Sequence, residues 1–154
     1  MNYGKKFEEN VKDDWERFLP DSPIIRLQDQ QSGYAGNSSN ICDYIAFTSG
    51  KLFLLECKET KENTFNFAKL TQYDDLLNYK DYDNTYPGVT IWFSKHDKVV
   101  WVSINEIERM KKEGKKSVNI KMLDTKEYKI YEIPSKKKRV YLTCDFNILR
   151  SVEK

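Results

Sequence analysis

Apolar positions recur at helical spacing over residues 3–19, where Phe7, Val11, Trp15 and Phe18 or Leu19 form one stripe. Pro20 and Pro23 stop that helix, because proline has no amide to donate and cannot continue the turn. Glu8 and Glu9 lie beside the stripe's first turn. Either carboxylate there reaches the edge of a packed sheet, or simply suits a helix N-terminus. A short apolar run at 23–27 predicts a strand, and residues 29–40, DQQSGYAGNSSN, form a flexible loop by composition.

The most informative pattern follows. Two apolar-rich runs, 43–48 and 51–58, flank Ser49-Gly50, a hairpin signal. With those two residues as the turn, Thr48 faces Lys51 and, counting back, Asp43 faces Glu56. Alternation then puts Asp43, Ile45, Phe47, Leu52, Leu54, Glu56 and Lys58 on one face. A bulge would move Asp43 by one residue to the other face.

Beyond the hairpin, Thr64 or Asn66 caps a helix over 67–79, with Phe67, Leu70, Tyr73 or Asp74, and Leu77 in register and Gln72 among them. Residues 88–94 and 99–104 form a second hairpin whose turn holds His96, a position that argues against catalysis by this imidazole. Ser103 and Glu106 make a capping box for a helix ending near Gly114. Strands are expected over 118–123, 128–133 and 139–146, with basic residues 136–139 connecting the last two. Helices interleaved with strands in this order predict a mixed α/β domain spanning residues 1–154.

Composition narrows the picture. Charged residues at 32% and aromatics at 14% are globular values. The N-terminus is too charged for a signal peptide, and no apolar run is long enough to span a membrane. Cys42, Cys57 and Cys144 are odd in number, lack a CxxC pair and share the chain with one histidine, which argues against a disulfide framework and a zinc site. An intracellular, cytoplasmic location is expected. Residues 1–110 carry 13 basic and 18 acidic side chains, whereas 111–139 carry 11 basic against Glu113, Asp124, Glu127 and Glu132. Such a basic stretch suits phosphate contact, although lysine-rich solvated edges share the pattern.

The candidate chemistry sits at the open end of the first hairpin. Directly opposed carboxylates, with Cβ atoms roughly 5 Å apart, repel one another. Asp43 and Glu56 therefore call for a cation, a shared proton or solvent, and a hard divalent ion with Lys58 two residues on answers that need. The spacing Glu-x-Lys also occurs at Glu59-Lys61, Glu113-Lys115 and Glu127-Lys129, but only Glu56-Lys58 sits in an apolar strand with an aspartate across the hairpin. The plainer reading makes Glu56 the point where the strand leaves the core.

Asp43, twelve residues and then Glu56-Cys57-Lys58, after an amphipathic helix carrying Glu8, resembles the PD-(D/E)XK nuclease superfamily. Within it, Asp43-Tyr44, Glu56-Cys57-Lys58-Glu59-Thr60-Lys61 and Gln72 are most similar to the RecU-type Holliday junction resolvases. Residues 88–104 resemble that family's following strand pair, and 133–141 its C-terminal end more weakly. The resemblance implies a restriction-endonuclease-like mixed sheet with flanking helices. It also implies a homodimeric DNA endonuclease of bacterial or phage type that hydrolyses phosphodiester bonds in four-way junctions.

On that resemblance Asp43, Glu56 and Lys58 are catalytic. Asp43, Glu56, Gln72 and Glu8 hold Mg²⁺, with Mn²⁺ as the alternative ion. By their charge, rather than by the resemblance, Lys136, Lys137, Lys138 and Arg139 are the expected DNA contacts. Ile41-Cys42 stands where the family often has a threonine before the aspartate, and the interval 27–42 is short for the family's protruding stalk. A sibling nuclease on duplex or flap DNA, an inactive DNA-binding module of the same fold and an unrelated interaction domain are the rival readings.

Overall fold

The structure, a computed structural model, describes residues 2–28, 40–139 and 141–154. The loop expected over 29–40 lies outside the described residues save for Asn40. Helix α1 (Tyr3–Phe18) begins where the Asn2 side chain accepts the Lys5 amide at 3.0 Å. Its stripe buries Phe7, Val11 and Trp15, as the spacing predicts.

Strands β1 (Ile24–Arg26), β2 (Tyr44–Thr48), β3 (Lys51–Thr60), β5 (Thr85–Phe93), β6 (Lys98–Ser103) and β8 (Ile130–Ile133) form a six-stranded sheet in the order β1-β2-β3-β5-β6-β8. The pairing of β3 with β5 is parallel and every other pairing is antiparallel, so the sheet is mixed. Two short ribbons accompany it, β4 (Thr64–Asn66) with β7 (Ser117–Asn119) and β9 (Ser135–Lys138) with β10 (Tyr141–Cys144).

The sheet separates two cores. Phe53, Leu55 and Cys57 of β3 meet Trp15 and Leu19, together with Phe146 and Leu149 of the closing 3₁₀ segment Phe146–Ser151. Leu54, Val89 and Ile91 pack on the other face against Leu70 and Leu76, and against Ile107 and Met110 of α3 (Ile104–Lys112). The capping box is formed, with Ser103 Oγ accepting the Glu106 amide at 3.1 Å. Among the described residues no helix is long and apolar enough to cross a membrane.

Three expectations are corrected. The helix expected over 67–79 is a 3₁₀ turn, Phe67–Lys69, followed by a short α2, Tyr73–Leu77. Asn66 caps only the 3₁₀ turn, and Leu70 leaves helical geometry (φ −91°, ψ 81°) while burying its side chain. Burial thus overrides the helical period. The strand expected over 118–123 stops at Asn119, whose Oδ1 accepts the Lys121 amide at 2.9 Å and turns the chain into α4 (Met122–Thr125). Basic residues 136–138 are not a connection but part of β9, paired Lys137 to Leu142 and Lys136 to Thr143.

Gly88 lies between β3 and β6, opposite Leu55 and Ser103. A Cβ there would stand 2.7 Å from the Trp101 ring, which itself packs edge-on against Phe53 of β3 at 5.6 Å. Overpacking at this point costs about 1–3 kcal/mol. Gly88→Ala is therefore expected to lower the urea midpoint at unchanged m-value, and an unchanged midpoint would show that Trp101 gives way freely.

Candidate active site

Strand β3 outlasts its neighbour. The β2 ladder ends at Tyr44–Leu55, whereas β5 accompanies β3 through Thr60. From Glu56 onward one edge of β3 is thus free of β2, and the candidate residues gather at this notch. The hairpin register is as counted from Thr48–Lys51 to Tyr44–Leu55.

It changes one step later. Asp43 donates its amide to the Leu55 carbonyl at 3.0 Å, so Asp43 and Tyr44 both address Leu55, as at a β-bulge. Asp43 therefore does not enter the ladder opposite Glu56. Its side chain turns along β3 instead, and Oδ2 accepts the Cys57 amide at 2.8 Å. This bond satisfies the Cys57 N–H, which has no β2 partner, and it fixes the aspartate beside Glu56.

Glu56 is 2% exposed, and its parallel partner Val89 is fully buried. Burial pushes its carboxyl well above the ordinary range, and a hydrogen bond to Asp43 with that neighbour's charge adds to the effect. The Lys58 ammonium opposes the shift, in keeping with a side chain near Glu56. Oε2 of Glu56 is buried without a hydrogen-bond partner among the described residues, and so is Oε1 of Gln72. Gln72 is the residue before α2, in the layer that covers Glu56's face of the sheet.

Glu8 approaches from α1. Its charge also raises the Glu56 pKa, its Oε1 accepts from Arg26 at 2.8 Å, and its carbonyl accepts the Tyr44 hydroxyl at 2.7 Å. Glu9 instead pairs with Lys6 at 3.7 Å, so Glu8 is the acid turned toward the site. Tyr44 stands in the matched hairpin, but no sequence pattern assigns it or Arg26 to holding Glu8. A lone arginine at the end of the Ile24-Ile25 run is the available signal.

Cys42, where the family often has a hydroxyl nearby, is 2% exposed, and burial followed by the charges of Glu56 and Asp43 pushes its thiol up to about 12. Burial thus favours the neutral thiol. Cys57 points into the opposite core, so the two thiols flank the sheet rather than meeting. His96 bonds Asn63 at 2.6 Å in the turn after β5.

Among the described residues no three Asp, Glu, His or Cys side chains gather as a metal cluster. The donors that do fit a hard cation are oxygens: the Asp43–Glu56 pair and the amide of Gln72. Glu56 and Gln72 each bury an oxygen without a partner among the described residues, at a cost of about 1–3 kcal/mol apiece. The basic run divides between two faces. Lys137 and Arg139 line a cleft with Trp92, while Lys136 borders Phe18 on the other side of the ribbon.

The family model of Recombination protein U, RecU, matches residues 23–143. Among solved structures the chain is similar to the Holliday junction resolvase Hjc of the archaeal hyperthermophile Archaeoglobus fulgidus. The TM-score is 0.54 at 18% identity, over 75% of this chain and 88% of that one. At this identity the likeness shows the fold, a restriction-endonuclease-like mixed sheet with flanking helices. No curated protein matches the chain.

A carboxyl whose pKa is raised by folding binds its proton more tightly in the native state, so stability falls as pH climbs above the ordinary carboxylate range. Glu56→Gln removes that loss. In EDTA at neutral to mildly alkaline pH the variant is expected to melt higher than the parent, with a flatter dependence of Tm on pH. Identical pH profiles would show that Glu56 is not buried as described.

Proposed function

We propose, for a chain that belongs to the RecU family, a metal-dependent endonuclease that resolves four-way DNA junctions by hydrolysing phosphodiester bonds. One observation carries the site assignment: the Asp43–Glu56 carboxyl pair at the free edge of β3, with the inner oxygen of Glu56 unpartnered among the described residues. Asp43, Glu56 and the Gln72 amide oxygen would hold Mg²⁺ or Mn²⁺. Glu8, kept in place by Arg26, adds to the negative field at Glu56 without joining the two carboxyl groups as a third. When bound, such an ion neutralises charge on the phosphate and lowers the pKa of the attacking water.

The chain's own groups supply the rest. The Cys57 amide fixes the Asp43 carboxylate, so the donor pair is oriented before substrate arrives. Lys58, two residues beyond Glu56 and on the same face, offers an ammonium where negative charge builds in the transition state. Val89 and Ile91, fully buried beside Glu56 and Lys58 on β5, keep the local dielectric low, which strengthens both effects. Symmetric cuts on a branched substrate need two equivalent sites, and a two-fold homodimer supplies them.

The test compares a labelled mobile four-way junction with linear duplex of equal length, in Mg²⁺ and in EDTA. Paired nicks on the junction alone, lost in EDTA, are expected. Equal cutting of duplex would replace the reading with a nuclease of broader substrate range, and binding without cutting would make the chain an inactive DNA-binding module. Asp43→Asn and Glu56→Gln should abolish cleavage while sparing junction binding. Lys58→Ala should slow it by about 10²-fold or more. Parent-like cleavage by Glu56→Gln would overturn the site.

A further inference from the structure

Away from the carboxyl pair, a cleft of about 380 Å³ opens between the start of α1, the turn after β5 and the β9–β10 ribbon. Lys61, Lys95, Lys137 and Arg139 surround it, with Asp97 as its one carboxylate among the described residues. Asp97 is engaged by Lys137 at 3.2 Å. Among the described residues Lys61, Lys95 and Arg139 have no carboxylate within ion-pair distance. The floor is Trp92, 3% exposed, whose indole N–H is buried without an acceptor among the described residues. Like charges lining a concave, partly apolar wall raise one another's potential and concentrate anions there.

Two elements tie this cleft to the carboxyl site. Lys61 follows Lys58 by three residues past the free edge of β3, and Tyr3, on the cleft wall, precedes Glu8 by five residues on α1, about 7.5 Å along the helix. The Lys61 ammonium stands over the Tyr3 ring at 5.2 Å, so one cation is held on the wall rather than trailing in solvent. Lys137 of β9 and Arg139 of the turn that follows both line the cleft, whereas strand alternation leaves Lys136 and Lys138 on the other side of the ribbon, where the Lys138 charge acts on Asp14. Arg139 sits at φ +54° in the ribbon turn, a conformation uncommon for a non-glycine residue.

We infer that this cleft binds a backbone phosphodiester of the DNA strand that leaves the carboxyl site. The inference rests on the nuclease reading above and adds to it a second anchor. The carboxyl pair acts on one phosphate, and the cleft holds another on the same strand without reading sequence. Lys61, Lys95, Lys137 and Arg139 are its phosphate-binding groups, while Lys136 and Lys138 contribute only to the general positive field.

The test is junction binding by the full chain in EDTA, measured over a range of KCl concentrations. Variants are compared in pairs that remove equal charge from the same strand and its turn: Lys137→Ala/Arg139→Ala against Lys136→Ala/Lys138→Ala. The first is expected to weaken binding at least tenfold and to lower the slope of log K against log salt by about 0.9 for each phosphate no longer neutralised. The second should weaken binding several-fold less. Lys61→Ala/Lys95→Ala, which leaves the ribbon and the Asp97 pair intact, should repeat the first result and so separates phosphate binding from ribbon folding. Equal weakening by both ribbon pairs, or parent-like binding by Lys61→Ala/Lys95→Ala, overturns the cleft while a parent that still cuts junctions keeps the nuclease reading. A parent that binds no DNA overturns both.

Discussion

The structure turns on two carboxyl groups held against each other in an apolar sheet. The groups near them either enforce that proximity or limit its cost. The β2 ladder stops at Tyr44–Leu55, which frees the Cys57 amide, and Asp43 occupies that amide with its side chain. Parallel pairing with β5 then carries Glu56 and Lys58 past the end of β2, alongside Val89 and Ile91. Without β5 the strand would fray where its chemistry lies. Without the bulge Asp43 would be an ordinary ladder residue whose side chain never reached the Cys57 amide.

This placement sets function against stability. A buried glutamic acid with a neighbouring aspartate is a poor core residue, and the surrounding groups leave the strain in place rather than remove it. Lys58 opposes the upward shift of Glu56, but Glu8 adds to it, and Arg26 holds Glu8 where it does so. Oxygens of Glu56 and Gln72 are left without hydrogen-bond partners among the described residues. On the proposed reading, a bound cation would satisfy what the protein alone leaves unsatisfied.

Much of this is legible in the chain. The Ser49-Gly50 turn fixes the hairpin register, and the isolation of Glu56-x-Lys58 in an apolar strand singles out one carboxylate among four similar spacings. The stripe of α1 and the Ser103 cap are as the periodicity implies. What escapes a sequence reading depends on tertiary packing. Leu70 breaks the second helix to reach the core, and the bulge at Asp43 follows from where β2 ends, which no local pattern encodes. The basic run 136–139 is visible as charge, but its division between two faces requires knowing that it is a strand. Lys95 is invisible, since nothing in a turn sequence places it across a cleft from Arg139.

Asp43 and Glu56, on this reading, form one cation site at the free edge of β3. Anomalous diffraction from crystals of the protein grown or soaked with Mn²⁺ would locate the ion itself. A single strong peak is expected between the two carboxyl groups, within coordinating distance of both and of the Gln72 amide oxygen, and it should vanish in Glu56→Gln. A peak elsewhere, or none at that position while Glu56 remains buried against Asp43, would contradict the assignment.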